Sequence, residues 1–150
     1  MIDGLDAGKQ AVTRLHQLWS TGDLALLPAI YAPDFTAHWP PSAAVPVRRG
    51  HDAVGRGLAG LRAAFPDWRE VVLDLFGEGD RVASRYVASG THLGAWNGLA
   101  PSGCSVEIHE ISVFRIRDGL IVEQWCMFDE LARLQQLAVD AEYLRRMLKL

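Results

Sequence analysis

The chain of 150 residues has only two cysteines, Cys104 and Cys126, and they are not arranged as CxxC. A disulfide framework is therefore not expected, and no HxxxH pair is present to build a zinc site with them, so no metal is expected. Neither sign of charge dominates: 15 Lys and Arg stand against 18 Asp and Glu, for a net charge of -3. With no basic footprint, nucleic acid and anionic lipid are not expected partners. No apolar run is long enough to span a bilayer. The first twenty residues, MIDGLDAGKQAVTRLHQLWS, contain acidic side chains and no unbroken apolar core, unlike a secretory signal. The expectation is a cytoplasmic protein with reduced thiols, forming one domain over residues 1–150.

What the sequence does contain is a strong hairpin signal between Ser105 and Asp129. Two apolar-rich runs flank Arg117-Asp118-Gly119, which reads as a three-residue loop closed by a left-handed glycine. That turn places Ile116 opposite Leu120, Ser112 opposite Gln124 and Glu110 opposite Cys126. Because strand side chains alternate, Ile108, Glu110, Ser112, Phe114, Val122, Gln124, Cys126 and Phe128 share one face. His109, Ile111, Val113, Arg115, Ile121, Glu123, Trp125 and Met127 share the other. Large apolar groups on both faces predict a central strand pair covered on two sides. A polar cluster within an apolar face is the pattern of a pocket floor, and equally of a simple cross-strand hydrogen bond between Ser112 and Gln124.

Upstream, Val12, Leu15, Leu18 and Trp19 have helical spacing, ended by Thr21-Gly22-Asp23. Asp23 can cap a second short helix, LALLPAIYA, interrupted at Pro28. Pro33 to Pro46 reads as a proline-punctuated connection carrying His38 and Trp39, which can line a site mouth. GRGLAG at Gly55–Gly60 matches the dinucleotide pattern only literally: no strand precedes it, and Val54, Leu58, Leu61 and Phe65 run a helical stripe through it. Strands follow from Val71-x-Leu73-x-Leu75, a turn at Gly77–Asp80, and Arg81 to His92 with Val82, Ser84, Tyr86, Ala88, Gly90 and His92 on one face. Leu93 to Gly103 is a glycine-rich crossing. After Asp129 the period becomes helical through Leu131, Leu134, Ala138 and Ala141, a closing helix suited to act as a lid or partner surface. The sum is α+β, an antiparallel meander with helices gathered on one face.

Trp19-Ser-Thr-Gly-Asp, Phe65-Pro-Asp, Gly79-Asp-Arg-Val, Gly90-Thr-His-Leu-Gly, Ala100-Pro-Ser-Gly, Phe114-Arg-Ile-Arg-Asp-Gly, Asp129 and Leu134-Gln-Gln-Leu137 occur in succession along most of the chain. In this order they resemble the SnoaL-like polyketide cyclases, of the cone-shaped superfamily that also holds ketosteroid isomerase and scytalone dehydratase. The resemblance implies a curved sheet wrapped around N-terminal helices to form a deep apolar cavity for a small hydrophobic molecule. It also implies a cyclase or isomerase that needs neither metal nor organic cofactor, closing a ring by an intramolecular aldol reaction with an aspartate as acid/base. That aspartate's position is Cys126 here, and a thiol, with an ordinary pKa near 8.5 that apolar burial raises, is a poor substitute.

A cavity glutamine of the cyclases corresponds to Glu110, so the carboxyl group is expected to have crossed the strand pair. The expected catalytic residues are Glu110, His92 and Asp129, the last equally suited to cap the following helix. His38, Trp39, Tyr86, Ser112, Gln124, Cys126 and Phe128 are expected to bind substrate. Hydration or epoxide opening, and ligand binding without catalysis, are the alternatives. Ile111, Val113, Trp125 and Met127 on the opposite face predict a homodimer.

Overall fold

A computed structural model describes residues 4–149. Helix α1 (Gly4–Thr21) buries Val12, Leu15, Leu18 and Trp19, the expected stripe, and also His16. Helical stability in a folded protein comes mostly from packing an amphipathic face, so the buried stripe, at about 1.5–3 kcal/mol per large apolar side chain, holds α1 in place. Asp23 then accepts a hydrogen bond from Ala25 N and caps a 3-10 helix, Leu24–Ala29.

That helix ends earlier than its composition suggests. Tyr31 opens strand β1 (Tyr31–His38), so the first half of the stretch expected to be a connection is a strand. Pro33 hid it. The proline sits where the register between Tyr31 and Thr36 shifts, a place where a missing N–H removes no regular ladder bond. Strands β2 (Val47–Arg49), β3 (Arg69–Glu78), β4 (Arg81–Thr91), β5 (Ser105–Arg117) and β6 (Leu120–Phe128) complete one sheet, with α2 (Gly50–Ala64) between β2 and β3. Their order is β2-β1-β6-β5-β4-β3. All neighbours are antiparallel except β1 and β6, which run parallel, so the sheet is not the purely antiparallel meander expected. The GRGLAG segment lies inside α2, as its helical stripe indicated.

The central hairpin turns tighter than expected. Arg117 pairs with Leu120, leaving a two-residue loop of Asp118 (φ 53°) and Gly119 (φ 76°), the signature of a type I′ turn. A bulge between Arg115 and Ile116 then shifts the ladder, so Glu110 faces Phe128, Ser112 faces Cys126 and Phe114 faces Gln124. Beyond the bulge each partner moves by two residues, so Glu110, Ser112, Phe114, Gln124, Cys126 and Phe128 keep their shared face. Near the turn, Ile121, expected on the outer face, instead pairs with Ile116 and is buried in the core. On β5, Val106, Ile108, Glu110, Ser112 and Phe114 are buried while the alternate positions through Val113 are exposed.

The expectation of cover on both sides fails, because helices lie against one side only of this pair. Ile111 is 51% exposed and Met127 64%. Trp125 is shielded by side chains instead, stacked on His38 at 5.6 Å and beneath the Arg81 guanidinium at 5.1 Å. The closing helix is two helices, α3 (Glu130–Gln136) and α4 (Ala141–Leu148), each capped by an aspartate, Asp129 and Asp140. α3 packs on β5. Among the described residues no helix is long and apolar enough to cross a membrane.

Candidate active site

Strand alternation and α1 together create a cavity of about 90 Å³ between the sheet and the helices. α1 contributes Leu15 and Trp19, and α2 contributes Gly57 and Leu61. The inner sheet face gives Glu70, Tyr86, Glu110, Gln124 and Phe128, while Arg48, Trp39, Trp96 and Arg133 stand around it. Gly57 has a specific reason: a Cβ there would come within 2.6 Å of the Arg48 guanidinium, which lies 5.1 Å from the Trp39 ring.

The floor is polar and connected. Tyr86 O–H donates to Glu110 Oε2 at 2.8 Å and lies 3.3 Å from Ser112 Oγ; Gln124 Nε2 donates to Ser112 Oγ at 3.2 Å. The Cys126 thiol points at Glu110 Oε2 from 3.7 Å, so the two side chains meet diagonally although they are not ladder partners. Burial lifts the Glu110 carboxyl to about 8, with the negative charge of Glu70 acting in the same direction; hydrogen bonds from Tyr86 and Cys126 and the charge of Arg133 oppose the rise. Burial also pushes the Tyr86 hydroxyl and the Cys126 thiol well up. At neutral pH the floor is therefore a neutral carboxylic acid among neutral donors. Such a group can give a proton to a bound molecule.

Of the residues expected from sequence, Glu110, Tyr86, Ser112, Gln124, Cys126 and Phe128 come together here, with Trp39 on the wall. The other three lie elsewhere. His92 is fully buried beyond the end of β4, where its Nδ1 accepts from Ser102 N at 3.2 Å and its ring stacks on Phe65 at 5.2 Å. It ties the Leu93–Gly103 crossing to the sheet and is not part of the cavity lining. Asp129 is exposed and its carboxylate accepts from Ala132 N at 2.9 Å, capping α3. His38 is half-exposed on the outer face, hydrogen-bonded to Glu123 at 3.0 Å.

Glu70, His16 and Arg133, which the sequence did not single out, line or support the cavity. Glu70 Oε2 accepts from His16 Nδ1 at 2.7 Å, and Glu70 Oε1 from Trp68 Nε1 at 3.3 Å. His16 Nε2 in turn lies 3.0 Å from Ser84 Oγ. The signal for His16 was present, since it sits between Val12 and Trp19 on the buried stripe of α1. Glu70 was masked by the apolar alternation of Val71, Leu73 and Leu75, which suggested the opposite inner face. Val71 and Leu73 are in fact exposed, and a bulge between Val72 and Asp74 returns only Leu75 inward. Arg133, 8% exposed, lies over the Trp96 and Phe128 rings at 5.5 and 5.0 Å. Among the described residues no group of three or more His, Cys, Asp or Glu is arranged to hold a metal ion.

Comparison with known proteins agrees with this architecture. IdmH from Streptomyces antibioticus, described as a candidate polyketide cyclase, is 32% identical, with 88% of this chain and 99% of that one aligned at a TM-score of 0.77. AclR from Streptomyces galilaeus, described as a candidate hydroxylase, is 27% identical over 94% and 89% of the two chains, TM-score 0.74. TsrD from Streptomyces laurentii is 26% identical over 87% and 94%, TM-score 0.77. No protein of curated function matches the sequence significantly. A sequence profile of the SnoaL-like polyketide cyclases matches residues 9–137. With that profile spanning most of the sequence and a curved six-stranded sheet closing a cavity over its inner face, the chain belongs to the SnoaL-like polyketide cyclase family.

Proposed function

We propose that the protein is a cyclase or isomerase acting on a small hydrophobic polyketide-like intermediate, with Glu110 as the proton donor and Tyr86 as the group that holds it. The carrying observation is the Glu110 carboxyl, buried on the cavity floor and raised to about 8. A carboxylic acid kept neutral at working pH can protonate a carbonyl oxygen as a carbon–carbon bond forms or a double bond moves. Gln124 and Ser112 fix the network from the far side, and Phe128, Trp39 and Leu61 give the apolar walls a flat substrate needs. His92 and Asp129 take no part in this reading, because both side chains are engaged outside the cavity lining.

The family's acid/base position being Cys126 does not leave the floor without a carboxyl group. The Cys126 thiol lies against Glu110 Oε2, so the acid occupies nearly the same space from the neighbouring strand.

An aryl diketone that closes by intramolecular aldol reaction tests the reading without knowledge of the natural substrate. The wild type is expected to accelerate closure, and Glu110→Gln to lose about 100-fold or more of that rate. A wild type that binds the diketone without accelerating its closure would indicate a binding protein and overturn the proposal.

A further inference from the structure

Glu110, neutral, can donate a proton but not take one, and an aldol closure or a double-bond shift begins by removing a proton from carbon. We propose that Glu70 is the base of the cavity, working opposite Glu110, and that His16 is the residue that positions it. The inference rests on the acid role of Glu110 and supplies the partner that role needs.

Glu70 lines the cavity with its side chain only 7% exposed. A carboxylate in so dry a place is costly unless its oxygens are satisfied, and here each has one donor: His16 Nδ1–H on Oε2 at 2.7 Å and, more weakly, Trp68 Nε1–H on Oε1 at 3.3 Å. One bond per oxygen leaves lone pairs free for a substrate proton. The support continues outward. His16 is itself buried, its Nε2 meets Ser84 Oγ, its ring lies 4.4 Å from the Tyr86 ring, and Glu70 N donates to Ser20 Oγ at 2.9 Å. The imidazole N–H holds the carboxylate in one orientation, so it acts through Glu70.

The sheet sets the spacing. Glu70 on β3 pairs with Ala88 and Glu110 on β5 pairs with Tyr86, so the two glutamates are on the strands flanking β4, offset by two residues and about 12 Å apart at the backbone. Both side chains belong to the lining of the same cavity, with Tyr86 between them. The charge of Glu70 is one of the influences that keep Glu110 protonated, which suits an acid and a base acting on one substrate. The other charged or titratable groups around them are His16, Arg48, Tyr86, Cys126 and Arg133.

In the aldol case Glu70 takes the α-proton and the C–H electrons form the new carbon–carbon bond. The carbonyl π electrons move to oxygen, and Glu110 delivers its proton there. Substrate and product are isomers, Glu70 ends protonated and Glu110 ionised, and one proton returning through water restores both. No oxidant or reductant is involved.

The test uses a C–H acid that needs only a base. With 5-nitrobenzisoxazole a base removes the ring C–H proton, those electrons complete a nitrile, the N–O bond breaks and a coloured cyanonitrophenolate is released. The wild type is expected to accelerate this elimination above buffer. Glu70→Gln should lose about 100-fold and Glu110→Gln less than about tenfold, the acid assisting only the departing oxygen. Glu70→Asp, which retracts the carboxylate by one methylene, should fall between and serves if the Gln variant does not fold. His16→Asn should shift the acid limb of the pH–rate profile, which a merely structural histidine would leave in place. Elimination no faster than in buffer, a Glu70→Asp rate equal to wild type, a larger loss in Glu110→Gln than in Glu70→Gln, or an unmoved acid limb in His16→Asn overturns the assignment. Because the elimination does not require the aldol step, a failure of the acid role shows in the diketone assay and a failure of the base role here.

Discussion

Glu110 has almost no water to stabilise its charge, and this has a measurable cost in the folded state. Its carboxyl is raised to about 8 from an ordinary value of about 4.5, so the unfolded chain gives up this proton first as pH rises. The protonated carboxyl's contribution to stability is therefore complete below about pH 4.5 and is lost progressively as pH climbs through about 8. Urea denaturation at about pH 5 and about pH 8.5 should show the wild type losing a few kcal/mol relative to Glu110→Gln over that interval. Parallel pH profiles for the two proteins would place Glu110 in water. The floor to which it belongs was legible from sequence because strand alternation has a period of two: a register slip of two residues left Tyr86, Glu110, Ser112, Gln124, Cys126 and Phe128 on one face. Glu70 was not legible, since its identity as an inner residue depends on a bulge at Val72–Asp74 that no residue type there announces.

At the scale of elements, the C-terminal helices depend on their caps. Asp129 accepts from Ala132 N and opens α3, whose Arg133 lies over Trp96 and Phe128 at the cavity wall. Asp129→Ala should cost about 1 kcal/mol, read as a fall of roughly 2–4 °C in melting temperature, whereas Asp129→Ser keeps an N-cap oxygen and should restore most of it. A Ser variant as unstable as the Ala variant would mean that the carboxylate matters for something other than capping. Helices α1 and α2 were readable from their apolar stripes, and β3 to β6 from alternation and turns. Strand β1 was not, because Pro33 lies within it and Pro40, Pro41 and Pro46 follow it with the composition of a loop, and its partner β6 lies far along the chain. The tight turn was missed for a local reason: Asp118 takes a left-handed conformation, which aspartate adopts more readily than most residues but which its presence does not dictate.

At the scale of the whole molecule, no described residue covers the apolar side chains of the outer sheet face. Val71, Leu73 and Phe76 of β3, Ile111 and Val113 of β5 and Met127 of β6 are all exposed, more apolar surface than a monomer ordinarily leaves in water. A second copy of the chain is the expected cover: light scattering on a sizing column at micromolar concentration should give twice the chain mass, and Ile111→Lys with Met127→Lys should give the single mass. A wild-type monomer would exclude this face as a homodimer interface. The parallel pairing of β1 with β6 acts on another property, the timing of folding. His38 and Glu123, bonded across these strands, are 85 residues apart in sequence. At ribosomal rates of about 5–20 residues per second, β1 emerges several seconds before the strand that will hold it. The chamber can therefore be sealed, and a ligand first enclosed, only after β6 has been made.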